Sequence, residues 1–203
     1  VTLACIPTAA FYFLPSVIRL YNEQYPKIRI RLLDLSANDG LEAVLRGEAD
    51  FGINMMSGQH PDIEFVPLVE EKFVLACRRD HELASRASVT WTQLADYRLI
   101  GVGRLSGNRM LLDHALSGLS WRPKWFYEVQ HLSTSLGMVE AGLGVSAMPS
   151  LAMPAADHPT LVSVPLSEPE VTRTLGLVYR RGASLSPAAE KFVAILLEKW
   201  PNS

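Results

Sequence analysis

The apolar positions along the first half of the chain alternate between two periods. VTLACI (1–6) is a short apolar run. Beyond Pro15, Val17, Ile18 and Tyr21 return at helical spacing on one face. Pro15 suits a first turn, where its missing N–H leaves no bond unmade, and Pro26 is a stop, so a helix is predicted over 15–25. IRIRLLDL (28–35) alternates in its first half, as a strand with one open face does. Asp39 and Glu42 have capping-box spacing ahead of Leu41, Val44 and Leu45, and Gly47 closes that helix. ADFGI (49–53) reads as a third strand. Strand, helix, strand, helix, strand with short links predicts βαβ units on a parallel sheet, an α/β fold.

The second half repeats the theme less regularly. YRLIGV (97–102) and KWFYEV (124–129) read as strands, with a helix over 107–116 between them. Ser133 is placed to cap a helix over 134–141, and GVSAM (144–148) is a short buried strand. Ser186 and Pro187 open a last helix over 187–200 as N-cap and first-turn residue. KFVLACRR (72–79) and TLGLVYRR (174–181) break the alternation: both are apolar runs ending in paired arginines. Each is suited to carry the chain between lobes, which predicts lobe I from 1–76 and 178–203 and lobe II from 77–177.

Composition narrows the function. At 203 residues and a formal charge of −2, nothing draws the chain generally toward nucleic acid. No run of eighteen apolar residues is present to span a membrane. The start, VTLACIPTAAF, has no initiator methionine and no signal-peptide pattern, so an upstream segment is expected. Cys5 and Cys77 each sit inside an apolar run without metal or C-x-x-C spacing, and read as core residues of a protein kept in a reducing, cytoplasmic setting. No metal site and no cofactor is expected.

Gly142, Gly144 and Ala147 spell G-x-G-x-x-A, a loose dinucleotide fingerprint. That chemistry needs a strand before the glycines and a helix after them, whereas here a helix precedes and a strand follows. Gly142 reads as the left-handed residue that ends the helix. GVGRLSG (101–107) does follow a strand and open a helix, but its spacing is one residue too long, which favours a small-ligand loop over a nucleotide loop; Arg104 within it is either a solvated surface arginine or a cationic anchor facing a cleft. No nucleophile–base pair, H-E-x-x-H or P-loop is found, so no catalytic residue is assigned. His60, His81 and His158 read as exposed loop residues, while His131 stands beside a helix start. Thr8, Asn38, Ser106 and Ser133 are each placed between a strand end and a helix, where free N–H groups suit an anion.

The blocks LEAVLRGEADFGI, PLVEEKFVLACRRDHELA, LGMVEAGLGVSAMPS and LGLVYRRGASLSPAAEKF, after the opening PTAAFYFLPSVIRLYNEQYP, resemble the effector-binding domain of LysR-type transcriptional regulators over essentially the whole chain. The resemblance implies a type 2 periplasmic-binding-protein-like fold, two Rossmann-like α/β lobes joined by two crossover strands, with an effector in the cleft. Carried onto this sequence, the pocket takes Thr8, Ala9, Ser36, Ala37 and Asn38 from one lobe and Gly103, Arg104, His131, Leu132 and Ser133 from the other. The hydroxyls and neighbouring N–H groups would hold an acid group and Arg104 would neutralise charge, making a carboxylate one candidate effector. The family binds DNA through an N-terminal winged helix-turn-helix, which these residues do not contain. It forms homodimers or homotetramers, implying that 16–25 and 28–33 meet 107–116 of another subunit, with Val17 and Leu20 in that surface. The other reading of the same fold is a periplasmic solute-binding protein of a transporter.

Overall fold

Phe51–Met55 is buried at every position, as expected of a strand covered on both faces, and it forms the centre of the first of two compact units. The computed structural model describes residues 1–55 and 60–200. The units comprise Val1–Glu70 with Thr174–Ser203, and Glu71–Arg173.

In the first unit, strand β1 (Thr2–Cys5) pairs in parallel with β2 (Arg31–Asp34) and with β3 (Phe51–Met55). Between β1 and β2 lie two helices rather than one: α1 (Pro7–Tyr12) and α2 (Leu14–Gln24). The prolines mark both starts, Pro7 and Pro15 each standing in a first turn. Helix α3 (Ala37–Leu45) leads to β3 and stops before Gly47, whose φ of 71° only glycine adopts readily. Its cap is Ser36, not Asp39: the Ser36 hydroxyl accepts from the Asp39 N–H, which puts Asp39 at the third helical position.

Three further elements complete or leave this unit. Strand β4 (Ile63–Arg78) is twice the length of the apolar run KFVLACRR, because its first half is half-exposed and carries no clear period. The chain passes between units inside β4 and again inside β10 (Thr172–Arg180), which pairs antiparallel with β3. The last helix, named α6 below (Pro187–Lys199), is capped by the Ser186 hydroxyl. It lies on α2: the Tyr21 hydroxyl donates to Ala188 O at 2.9 Å and the rings of Tyr21 and Phe192 stand 5.1 Å apart. Leu14, Val17 and Tyr21 are the buried face of α2. Val17 is therefore a core residue with no surface to offer a second subunit, which corrects its reading as an assembly contact; Leu20 is half-buried.

In the second unit, β4 pairs antiparallel with β8 (Ser146–Pro149) and β9 (Leu161–Ser167), and the two-residue β5 (Val89–Thr90) runs parallel to β9. A separate parallel pair joins β6 (Leu99–Val102) to β7 (Trp125–Val129), flanked by α4 (Gly107–Ala115) and α5 (Leu132–Glu140). The core gathers Trp91, Leu94, Leu99, Leu112, Val145 and Leu166, and the Trp91 indole N–H is spent on Pro169 O at 2.9 Å. Helix α5 then strand β8 is the order that rules out the dinucleotide reading, and Gly142 ends α5 with φ 78°.

Gly176 on β10 has no room for a side chain: a Cβ there would stand 2.4 Å from the Phe65 ring and 2.5 Å from Val66 O. Gly137 on α5 has open space around the same atom. Gly176→Ala is expected to destabilise the domain by about 1–3 kcal/mol. Gly137→Ala is expected to stabilise it by about 0.5–1 kcal/mol. Urea unfolding of both variants checks the pair, and equal effects would be the contrary result.

Candidate functional site

The predicted ligand residues divide between the units, and within each unit they gather at the carboxyl ends of parallel strands. In the first unit, the β1–β2 and β1–β3 ladders run on past their last residues through Leu35 N–H to Cys5 O (3.0 Å) and Ile6 N–H to Ile53 O (3.2 Å). This sets the start of α1 beside the start of α3. Thr8 and Ala9 are buried within α1, and Asn38 is exposed within α3, so Thr8 and Asn38 are not linker residues as expected. Ser36 is exposed, and its hydroxyl donates to Asp39 Oδ2 at 2.7 Å. The dipole of α3 is thus met by the chain's own carboxylate.

Ala37 is held from below by a residue the sequence reading did not single out. Asn54, 2% exposed on β3, donates from Nδ2 to Ala37 O at 2.7 Å and accepts the Met55 N–H at 2.8 Å. The signal was present: one amide side chain inside the otherwise apolar strand FGINM, which only a specific hydrogen-bonding duty makes tolerable.

In the second unit, Gly103 follows β6 and donates its N–H to Val129 O, the last residue of β7, at 2.9 Å. The segments carrying Gly103–Arg104 and His131–Ser133 are therefore neighbours. Arg104 is exposed, and Leu105 beside it is 90% exposed. Ser106 and His131 occupy the cap positions of α4 and α5, yet neither side chain bonds back to its helix. Ser133, expected as the cap, is the second residue of α5, because the helix starts at Leu132. Beneath it the buried Ser135 hydroxyl donates to Ser146 Oγ (2.8 Å), which donates to Ile100 O (2.8 Å), fixing α5 to β8 and β6.

The remaining histidines depart from expectation. His60, His81 and His158 are half-buried, and each Nδ1 accepts a backbone N–H two residues on, from Asp62, Leu83 and Thr160 respectively. They are turn caps. A depression of about 490 Å³ lined by Arg78, Asp80, Tyr97 and Arg98 lies where the chain enters β6 and β8, away from the strand ends just described. None of the predicted ligand residues lines it. Its Arg78 and Asp80 are joined by two bonds of 2.8 Å, which raises the arginine's pKa and lowers the aspartate's, so their charges are already spent on each other.

The strongest electrostatic feature lies below α4. Arg173, 2% exposed, donates from Nε to Glu71 Oε1 at 2.7 Å and from Nη1 to Asn108 Oδ1 at 2.7 Å. Its Nη2 stands 2.6 Å from the same Glu71 oxygen, off the hydrogen-bond axis. Burial pulls the guanidinium pKa down and Glu71 holds it up. The other carboxylate oxygen accepts Leu151 N–H at 2.7 Å. Arg109 on α4 is also buried, bonded to Asp113 (2.9 Å) and lying over the Trp125 ring at 4.9 Å. The cysteines are buried in β1 and β4: desolvation, with Asp34 adding, pushes the Cys5 thiol up to about 12, and desolvation pushes Cys77 up to about 11. Among the described residues no cluster of His, Cys, Asp or Glu could hold a metal, and no helix is long and apolar enough to cross a membrane.

Glu71→Leu leaves a buried cation without its counter-charge and is expected to cost about 3–5 kcal/mol. Glu71→Leu with Arg173→Met removes both charges and should recover most of that loss. Urea midpoints of the single and double variants decide it, and strictly additive effects would contradict the pairing.

Residues 1–201 match the family described as LysR substrate binding domain. The chain is 55% identical over 202 residues to an uncharacterized HTH-type transcriptional regulator, YbhD, of Escherichia coli K12, covering 100% of this chain and 64% of that protein. It is 31% identical over 191 residues to the DNA-binding transcriptional dual regulator OxyR of the same organism, covering 92% of this chain and 61% of OxyR. The chain thus spans less than two thirds of these relatives. Among solved structures, the effector binding domain of QuiR in complex with shikimate superposes with a TM-score of 0.83 at 23% identity, covering 98% of this chain and 96% of that one. That likeness is one of fold, the type 2 periplasmic-binding-protein-like fold of paired α/β lobes. With strand ends, crossover strands and family match in agreement from one end to the other, the chain belongs to the LysR substrate-binding domain family.

Proposed function

We propose that this domain is the ligand-sensing part of a DNA-binding transcriptional regulator. It takes a small-molecule effector through Thr8, Ala9, Ser36, Ala37 and Asn38 of the first unit and Gly103, Arg104, His131, Leu132 and Ser133 of the second. The observation that carries the reading is the gathering of these residues at strand carboxyl ends, where open α/β sheets bind ligands. The effector is an organic acid. In support, the first turns of α4 and α5 have no side-chain cap, so their N–H groups are available to an anion, and Arg104 is exposed beside them. QuiR's shikimate is such an acid. DNA contact belongs to the part of the regulator beyond this domain, and the relatives' names as HTH-type regulators support that. The whole protein works in the cytoplasm as a homodimer or homotetramer, and occupancy shifts a two-state equilibrium of that assembly. The ligand is released unchanged.

Another relative of the chain is named a hydrogen peroxide-inducible genes activator, which raises reaction of a cysteine with peroxide as a competing reading. Peroxide is reduced by an exposed thiolate, and this chain's two cysteines are buried, with pKa values raised to about 12 and about 11. Neither thiol is expected to react with a thiol reagent or with millimolar peroxide until the domain unfolds. Intact mass after peroxide treatment tests this, and oxidation of the native domain would restore the redox reading.

The effector reading is tested by thermal shift against a panel of organic acids, shikimate and benzoate included, beside neutral sugars and amides. An acid at 100 times its dissociation constant should add about 2.7 kcal/mol of stability. Arg104→Ala should weaken that acid at least tenfold while leaving the unliganded melting temperature in place. Stabilisation by neutral compounds alone would overturn the acid assignment.

A further inference from the structure

We propose that Arg173 is a positioning residue for the loop and first turn that open α4, tying Gly103–Asn108 to strands β4 and β10 so that the three move as one. The inference rests on the reading of Gly103 and Arg104 as ligand contacts for its purpose, though not for its geometry.

Three observations carry it. The first is place. Glu71 and Arg173 are the first and last residues of the second unit, at the two points where β4 and β10 leave it. The second is reach. The one guanidinium–carboxylate pair bonds four separate pieces of chain: β4 through Glu71, β10 through Arg173, α4 through Asn108, and the turn at Leu151. The third is continuity with the loop. Gly103 O accepts Ser106 N–H at 2.9 Å and Ser106 O accepts Met110 N–H at 3.0 Å, so the loop and the first turn of α4 form one hydrogen-bonded piece with Asn108 inside it. The far end of that loop is fixed to β7 through Gly103 N–H and Val129 O.

The energetics make the link stiff. Arg173 is cut off from water, so an Asn108 that withdraws leaves a guanidinium N–H with no replacement acceptor. The guanidinium is planar and its donors are fixed in one fork, so it cannot follow Asn108 without turning away from Glu71. A displacement of the loop is therefore paid for at β10 and at Leu151, not absorbed locally. Arg109 fastens the same helix to β6 and β7 by bonds to Val102 O and Glu128, which leaves the Asn108 contact as the route to the crossover strands.

The test is hydrogen exchange on the 203-residue chain without ligand, so that its outcome does not depend on whether an acid binds. Asn108→Ala should raise exchange of the amides of Arg173–Leu175 and of Leu151 by about tenfold, although Arg173 lies 65 positions from the substitution. Asn108→Asp keeps an acceptor on Nη1 and should hold those amides within about threefold of the parent. Amides of β1 in the first unit should be unchanged in both. A rise confined to α4 would overturn the proposal, because Asn108 would then serve only its own helix. A uniform rise that includes β1 would overturn it as well, as would failure of Asn108→Asp to restore protection.

Discussion

A guanidinium taken out of water needs a counter-charge and fixed acceptors, and the second unit supplies Arg173 with both, at Nε and Nη1. Glu71 supplies the counter-charge, Asn108 a side-chain oxygen from α4, and Leu151 N–H completes the carboxylate. The pair is not a source of stability in itself: a buried ion pair roughly breaks even against apolar residues of the same volume. What it supplies is uniqueness. An apolar pair at these positions would tolerate small slides of α4 and of β10, whereas a fork of fixed donors accepts one arrangement. On the proposed reading of Gly103 and Arg104 as ligand contacts, that single arrangement sets where they stand.

The candidate ligand residues show a related economy. Most of them contribute backbone or short side chains at helix starts, and charge enters sparingly. The start of α3 is already met by Asp39, whereas the starts of α4 and α5 have cap-position residues whose side chains do not bond back. The two units therefore differ: the start of α3 is closed by Ser36 and Asp39, whereas no cap-position side chain closes the starts of α4 and α5, and Arg104 is exposed beside α4. The Ser135–Ser146 hydroxyl chain and the Asn54 amide serve the positioning of these segments, and both are invisible at the surface.

Much of the frame was legible because it is written in period and punctuation. The alternation of β1, α2, β2, α3 and β3 follows from apolar spacing, and Gly47 and Gly142 end helices for the steric reason that makes glycine the residue of choice there. What escaped had no local signature. Helix α1 is six residues long, too short for a period to show. The exposed half of β4 and the whole of β9 are strands because partners lie beside them, a fact their own residues do not state. The caps were misplaced by a few residues at α3 and α5, since serine, aspartate and histidine are all plausible near a helix start and only the backbone decides between them. For the candidate site, the segments followed from the family resemblance. Arg173 and the histidine turn caps left no such trace, because each acts on residues far along the chain or through one ring nitrogen, whereas Asn54 stands out in its apolar strand and only its partner does not.

The first unit is made from both ends of the chain, with the second unit inserted between them. During synthesis, β1, β2 and β3 leave the ribosome long before β10 and α6, which supply the antiparallel neighbour of β3 and the partner of Tyr21. Until those last residues emerge, β3 has an open edge and α2 an uncovered aromatic face, while Glu71–Arg173 can already close on itself. The order of assembly is thus built into the connectivity: the inserted unit is a contiguous piece that can fold early, and the outer one remains an unfinished, aggregation-exposed half until the final helix docks. The strand ends of the outer unit therefore take their final form only after β10 and α6 have been made, whereas those of the inserted unit need neither.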